Sequence, residues 1–207
     1  MRARIGQVLA MIALLAASVA GGAMWLGRGA PAPGEDGFMP GLAASVGGPF
    51  SLVDEDGARV TQASYAGRFL LICFGYRYCP DVCPTELAKM TTALDLLPPA
   101  AQARIQPLFI TVDPERDDPA ALKDYTDLFH PALIGLTGTL AETGAAARAW
   151  RVFYAKQTAG RDADAYLMDH SSFITLAGPD GRARRLFSPD TTPQALAAAL
   201  ARAVAGG

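Results

Sequence analysis

The sequence contains little histidine and little cysteine, and it has no excess of basic residues. Of its 207 residues only two are histidines and three are cysteines, and 20 acidic side chains outnumber 18 basic ones. Three of the basic residues (Arg2, Arg4 and Arg28) flank an N-terminal apolar run, so the rest of the chain is more acidic still. Nucleic-acid binding requires a basic surface, so we expect no nucleic-acid partner.

Internal repeats and long low-complexity tracts are also absent from the sequence. Apolar residues make up 51% of it, which argues against global disorder. Without the N-terminal run, about 165 residues remain, a length that suits one domain with one core.

The N-terminal apolar run covers residues 5–26 and carries no charge. As a helix it would be about 33 Å long, enough to cross a hydrocarbon core of about 30 Å. Arg2 and Arg4 precede the run and favour a cytoplasmic N-terminus with an exported domain. A cleaved signal peptide with a small-residue site at residues 18–20 is the alternative, but the run continues to Leu26 and favours an uncleaved anchor. Both interpretations predict a domain on the extracytoplasmic (periplasmic) side of the membrane.

These patterns divide the chain into three parts. We expect a membrane anchor or signal segment at residues 1–27 and a flexible linker, rich in Gly, Pro and Ala, at residues 28–47. One globular domain should follow at residues 48–207.

The globular part alternates between predicted strands and helices. Short apolar runs predict strands at residues 69–75, 105–112 and 133–136. Helical periodicity predicts helices at residues 85–97, 119–129, 140–153 and 193–204. Turn residues predict hairpins at residues 50–61 and 172–187. This order predicts an α/β sandwich with a mixed central sheet.

Cys79 and Cys83 lie four residues apart, directly after the predicted strand at residues 69–75 and at the start of a predicted helix. A thioredoxin-like fold presents its reactive thiols at this place. Free N–H groups at a helix N-terminus stabilise a thiolate and lower its pKa. Pro80 stiffens the loop, and Pro84 suits a first helical turn.

Three functions are open for this loop. The cysteines could form a stabilising disulfide, exchange disulfides with a partner, or bind a metal with a third ligand. The two-residue spacer usual for fast dithiol exchange is replaced here by three residues. Soft thiolates favour Cu(I), and imidazole suits both Cu(I) and Cu(II). No Thr-x-x-Cys sequence precedes Cys79, because Tyr76 holds the threonine position, and this disfavours a peroxiredoxin-type enzyme.

His170 is the candidate third ligand. It precedes the predicted hairpin at residues 172–187, and in a thioredoxin-like sheet the loop before that hairpin returns beside the cysteine loop. The alternative interpretation is an ordinary surface histidine in a loop.

Four motifs occur along the domain in the order FGYRYCPDVCPTEL, TVDPERDDP, LIGLTGT and YLMDHSS. In these motifs the chain resembles the Sco/SenC family of copper proteins, which assist cytochrome c oxidase assembly. The resemblance covers residues 48–189. It implies a thioredoxin-like fold, one N-terminal transmembrane helix, and one copper ion bound as Cu(I) or Cu(II) by Cys79, Cys83 and His170.

The same resemblance implies a metallochaperone, rather than an enzyme, that delivers copper to the oxidase, with subunit II as the expected partner. The alternative is a membrane-anchored thiol-disulfide oxidoreductase, with Cys79 and Cys83 as its redox pair, that reduces the copper-ligand cysteines of an oxidase subunit. Other copper chaperones or thiol reductases are further expected partners. Arg77 departs from the family pattern, which more often has a small polar residue there.

Other residues with suggestive chemistry have a structural interpretation. Cys73 lies inside a buried strand and should pack as a small hydrophobe, and Met168 should also be a core residue. His130 should have a local capping or surface role. Asp113 should form a turn or orient the cysteine loop. Asp169 should either hold the His170 ring or cap its own loop.

Overall fold

The computed structural model describes residues 46–157 and 166–206, and only these residues are considered below. The expected anchor at residues 1–27, and the linker up to residue 45, lie outside the described residues. Within the described ranges, no helix is long and apolar enough to cross a membrane.

A mixed sheet of seven strands forms the centre of the domain. The described residues form the strands β1 (Ser51–Asp54), β2 (Arg59–Thr61), β3 (Phe69–Gly75), β4 (Ile105–Thr111), β5 (Ile134–Thr137), β6 (Tyr154–Gln157), β7 (Leu167–His170), β8 (Ile174–Ala177) and β9 (Ala183–Phe187). The order in the sheet is β2-β1-β5-β4-β3-β8-β9, and β6 and β7 pair with each other. Strands β3, β4 and β5 are parallel, and the other neighbours are antiparallel.

The helices are α1 (Val82–Asp95), α2 (Pro99–Gln102), α3 (Pro119–Thr126), α4 (Leu140–Ala149) and α5 (Pro193–Gly206). Local sequence explains where α3 and α4 begin. Asp118 precedes α3 and accepts a hydrogen bond from the Ala121 N–H (2.8 Å), with Pro119 in the first turn. Thr139 and Glu142 form a reciprocal capping box at the start of α4.

Helices cover both faces of the sheet. Leu70, Ile72 and Phe74 of β3 point into a core shared with α4. Leu71 and Cys73 point into a second core, shared with α1, α3 and α5. Every residue of β3 is buried as a result, which is why its sequence reads as one continuous apolar run. The predicted α/β sandwich with a mixed central sheet is confirmed.

Three local predictions were wrong, and the first is the helix expected at residues 119–129, because α3 ends at Thr126. The segment before β8 was expected to be a loop, but residues 167–170 form β7, which pairs with β6 in the register Tyr154↔His170. Helix α4 was expected to continue to residue 153, but it ends at Ala149. Arg151 has φ of +56°, and a left-handed residue just beyond a helix terminates it.

Candidate metal centre

The loop between β3 and α1 brings the two cysteines together. Its first turn is closed by the Cys79 N–H, which donates to the Tyr76 carbonyl (3.1 Å). Cys83 is the second residue of α1, so its N–H is not used by a helical hydrogen bond. That N–H points at the Cys79 sulfur, at 3.4 Å. The helix N-terminus therefore stabilises negative charge on Cys79, as the sequence predicts.

His170 reaches this loop from the end of β7. Its Nε2 atom lies 3.3 Å from the Cys83 sulfur, and its Nδ1 atom lies 3.0 Å from the Ser171 carbonyl. When Nδ1 carries the proton and donates to that carbonyl, Nε2 is left with a free lone pair towards the sulfurs. The Tyr76 ring packs edge-on against the imidazole, with 5.8 Å between ring centroids.

Cys79, Cys83 and His170 each offer one ligand atom, and these atoms all lie within 4.8 Å of one another. Across the described residues, no other cluster of three or more histidine, cysteine or acidic side chains has this geometry. The structure has both cysteines as free thiols, so both sulfurs are available as ligands. Two sulfurs and one imidazole nitrogen are soft and borderline donors that suit copper.

The protonation states of the two cysteines differ in the metal-free protein. Hydrogen bonds from the Cys83 thiol, from His170 and from backbone N–H groups lower the pKa of Cys79 to about 3. The same contact with Cys79, together with burial, raises the pKa of Cys83. Burial alone would lower the pKa of His170, but its contacts with Cys79 and the Ser171 carbonyl raise it overall. Cys79 is therefore a thiolate at neutral pH, and Cys83 keeps its proton.

The two sulfurs also differ in solvent exposure. Cys83 is fully buried, whereas Cys79 is partly exposed. Cys79 and His170 line an open cleft of about 240 Å³ together with Met168 and Pro80. An incoming ion or partner thiol can therefore reach Cys79 first and Cys83 only behind it.

Gly75 is a site residue that sequence reasoning missed. It ends β3 directly against the Cys83 side chain. A Cβ atom at this position would collide with the Cys83 sulfur and would lie 2.8 Å from Cε2 of Phe109. The lack of a side chain at residue 75 therefore leaves the space that the Cys83 sulfur fills. The sequence signal for this role was a glycine at the end of a predicted strand, directly before the cysteine loop.

Asp117 was missed too. It is completely buried, and its carboxylate accepts hydrogen bonds from the Arg77 N–H (3.0 Å) and from the Thr111 hydroxyl (2.7 Å). These bonds connect the end of β4 to the start of the cysteine loop. The Arg77 side chain lies over the Tyr78 ring, 4.3 Å from its centroid, and so stays beside the loop rather than over the sulfurs.

The structure also shows the surroundings of the other residues with suggestive chemistry. Cys73 and Met168 are buried in the two cores, as predicted. His130 has the expected local role, since its Nδ1 atom accepts from the Ala132 N–H (3.0 Å). Asp169 accepts a hydrogen bond from Gln157 on β6, and the carbonyl of Ser171 holds the His170 ring instead. Of the two roles expected for Asp169, holding this ring is therefore not the one that the structure shows.

Asp113 lies at the end of β4, where it was expected to form a turn or orient the cysteine loop. It is buried, and its carboxylate pairs with Arg116. The two oxygens are thus fixed inside the domain rather than displayed to solvent.

The chain is similar to known proteins over most of its length. Residues 39–205 match the sequence model of the SCO1/SenC family. The human mitochondrial SCO1 homolog is 43% identical over 157 residues, which are 75% of this chain and 52% of that protein. The chain spans about half the length of the curated relatives that it matches.

Solved structures share the fold. The structure of Bradyrhizobium japonicum ScoI with copper bound is 42% identical, with a TM-score of 0.70, and the match covers 76% of this chain and 99% of that one. BsSco, a member of the Sco family of cytochrome c oxidase assembly proteins with an identified disulfide switch, is 25% identical, with a TM-score of 0.61 and coverage of 79% and 95%.

These similarities agree with the geometry of the site. ScoI holds copper, and the Cys79, Cys83 and His170 side chains form a group that can hold one copper ion. The thioredoxin-like sandwich is common to this chain and to the solved relatives. With the family's sequence model matched over residues 39–205 and a human relative at 43% identity, the chain belongs to the SCO1/SenC family.

Proposed function

We propose that this protein is a copper metallochaperone that binds one copper ion through Cys79, Cys83 and His170 and assists assembly of the copper centre of cytochrome c oxidase. The observation that carries the proposal is the convergence of two sulfurs and one imidazole nitrogen within 4.8 Å, beside an open cleft. Copper in ScoI supports the choice of metal, and the oxidase-assembly role of the family of BsSco supports the task.

The three candidate ligands differ in protonation state and in solvent exposure before copper binds. Cys79 is already a thiolate and partly exposed, so it is the first ligand that an arriving ion meets. Cys83 must release its proton on binding, because only the thiolate is a good ligand. His170 offers Nε2 as a ligand once this nitrogen has released any proton that it shares with the sulfurs, while the Ser171 carbonyl holds Nδ1. Copper affinity should therefore fall as the pH drops.

The test is a copper count on the full-length protein, purified in detergent, reduced and loaded with Cu(I). The His170→Ala variant is compared with His130→Ala, which removes the chain's other histidine, outside the site. We expect about one copper per chain in the wild type and in His130→Ala, and strongly weakened retention in His170→Ala. No retained copper in the wild type, or equal retention in His170→Ala, would contradict the three-ligand site.

A thiol-disulfide oxidoreductase is the second candidate, because Cys79 is an accessible thiolate with a second thiol directly behind it. In that reaction the Cys79 thiolate attacks a disulfide of an oxidase subunit, forms a mixed disulfide and releases one partner thiolate. Cys83 then loses its proton and attacks the Cys79 sulfur, which releases the second partner thiol. Two electrons pass to the partner, and a thiol reductase must reduce the resulting Cys79–Cys83 disulfide.

The variant His170→Ala distinguishes the two functions. His170→Ala should keep thiol exchange with a model disulfide and lose copper, whereas replacing either Cys79 or Cys83 should abolish both. A disulfide between the two cysteines would also block copper loading, so the redox state of the pair would gate delivery.

The proposed partner is subunit II of the oxidase, docking where Tyr78 and Val82 flank Cys79. These side chains are 50% and 40% exposed; Tyr78 lies in the loop next to Cys79, and Val82 is the first residue of α1. The test is copper transfer to the isolated copper domain of subunit II. Val82→Asp should slow transfer without changing the donor's own copper affinity; unchanged transfer would remove this surface from the docking site.

We also propose that the chain is membrane-anchored, with the domain on the extracytoplasmic side. The apolar run at residues 5–26 and the arginines before it support this topology. In membrane vesicles of known orientation, protease added to the extracytoplasmic face should cut the domain away. Mass measurement of the membrane-bound form distinguishes an uncleaved anchor from a signal peptide removed near residue 20.

A further inference from the structure

Strand β7 carries His170, yet its attachment to the rest of the domain is indirect. Among the described strands, β7 pairs with β6 alone, and this pair is separate from the seven-stranded sheet. Hydrogen bonds of the main sheet therefore do not hold β7 itself, although the main-sheet strand β8 begins four residues after His170, at Ile174. Side-chain contacts contribute to the distance between His170 and the cysteine loop.

Asp113, Arg116 and Tyr166 form a polar cluster next to β7, which we call the brace. Asp113 is 2% exposed, and its carboxylate accepts from the Tyr166 hydroxyl (2.6 Å) and from Nε of Arg116 (2.6 Å). Arg116 also donates to the Tyr166 carbonyl (3.1 Å), and its guanidinium lies 3.6 Å from the Tyr166 ring centroid. Tyr166, which immediately precedes β7, is thus held at its hydroxyl, its ring and its backbone.

The same guanidinium touches the cysteine loop. It lies 4.8 Å from the Tyr78 ring centroid and 5.8 Å from that of Tyr76. The Tyr76 ring contacts His170, and the Tyr76 carbonyl accepts from the Cys79 N–H. One cation, held by one buried carboxylate, therefore contacts both segments that carry the candidate ligands.

We propose that the brace positions the metal centre by keeping His170 within reach of the two cysteines. Charge-assisted hydrogen bonds to a buried carboxylate are short and directional, and the planar guanidinium can stack on an aromatic ring while donating in its plane. Asp113, Arg116 and Tyr166 bind no copper themselves and act through the position of β7. The proposal deepens the proposed function and rests on the copper site described above.

The test is a double-mutant cycle on the full-length protein, with Cu(I) affinity measured by chelator competition. Tyr166→Phe removes the hydroxyl bond to Asp113 and keeps the ring. It should weaken copper binding about tenfold, as is typical when a residue that supports a metal ligand is changed. In the His170→Ala background the same change should alter affinity less than about twofold, because the ligand through which Tyr166 acts is gone.

Arg116→Lys is the second variant, since lysine keeps the charge but not the planar fork. Its matched control is Arg184→Lys, in the exposed Arg184–Asp180 pair at the turn between β8 and β9. Arg116→Lys should weaken copper binding, and Arg184→Lys should leave it unchanged. Thermal melting of each variant records whether the fold is retained.

The outcomes separate this proposal from the proposed function. A wild-type chain that binds no copper overturns both. A wild-type chain that binds copper, with no loss in Tyr166→Phe and Arg116→Lys, overturns the brace alone. An equal loss from Tyr166→Phe with and without His170 also overturns it, because the hydroxyl would then act on general stability and not through the third ligand.

Discussion

Single residues at the centre differ in how far the sequence identifies them. Cys79 lies in the loop before α1 and Cys83 in the first turn of that helix, so their spacing of four residues alone brings them together. His170 is 87 residues away from Cys83, and its approach depends on the topology of the whole domain. Gly75 acts by leaving room for the Cys83 sulfur, and this close approach cannot be recognised from the sequence.

Gly75→Ala should damage the site without touching a ligand. The added methyl group must displace either the Cys83 sulfur or the Phe109 ring, and overpacking of this kind costs about 1–3 kcal/mol. We expect a lower free energy of unfolding in urea and weaker copper retention. The control is Gly206→Ala, because a Cβ there meets open space at the end of α5. Equal behaviour of the two variants would show that the Cys83 sulfur is not confined by residue 75.

The reactivity of Cys79 should be almost independent of pH. Its pKa of about 3 keeps it a thiolate throughout pH 5–8, whereas the reaction of an ordinary thiol speeds up about tenfold per pH unit in this range. In the reduced, metal-free protein, the rate of Cys79 alkylation by iodoacetamide should change less than about twofold between pH 5 and 8. Cys83→Ala should restore pH dependence, because it removes the thiol that donates to Cys79, and Cys73→Ala should not. A steep rise in the wild type would mean that the thiolate is not stabilised.

Among the elements, those with a strong apolar pattern were predictable. Strand β3 lies at residues 69–75 as predicted, because both of its faces are buried. The hairpin of β6 and β7 was not predictable, because Tyr154–Gln157 is half-buried to exposed and lacks that pattern. The missed hairpin contains His170, so the element that completes the candidate site carries the weaker sequence signal.

Helix α1, which carries Cys83, also carries a buried ion pair whose lysine is bonded to the segment between β9 and α5. Lys89 donates to the Glu86 carboxylate (2.7 Å) and to the Pro189 carbonyl (2.5 Å), between β9 and α5. Burial raises the pKa of Glu86, and its contact with Lys89 offsets part of that rise. The bond from Lys89 to Pro189 thus connects the helix that begins at the site to the segment before α5.

Lys89→Met should destabilise the protein by about 3–5 kcal/mol, because Glu86 is left buried without its partner. Without the ammonium group, the pKa of Glu86 in the folded state rises further above its unfolded value. Stability is then lost as the pH rises through the folded pKa, so urea unfolding should show a larger loss at pH 8 than at pH 5.

The double variant Glu86→Gln/Lys89→Met should remove this pH dependence, since residue 86 no longer titrates. Lys123→Met, in the exposed Lys123–Asp56 pair, is the matched surface control and should change the stability little, because solvent screens this pair. A loss in Lys89→Met that is the same at both pH values would assign the effect to packing and not to the buried charge.

On the scale of the whole molecule, the candidate ligands come from two segments that lie far apart in the sequence. The cysteine loop follows β3, and His170 ends a hairpin outside the main sheet. A metal bound by all three would cross-link these parts, and an ion that binds only the folded state adds its binding free energy to folding. Copper binding and global stability should therefore be coupled.

Copper should raise the midpoint of thermal unfolding of the reduced protein. At free Cu(I) one hundred times the dissociation constant the gain is about 2.7 kcal/mol, or roughly 5–10 °C for a domain of this size. Fluorescence of Trp150, which is completely buried, can follow the transition. The gain should be much smaller in His170→Ala, because the cross-link to β7 is lost, and absent when Cys79 and Cys83 are oxidised to a disulfide, because no thiolate remains. An equal gain in all three forms would mean that copper stabilises the domain from somewhere other than this site.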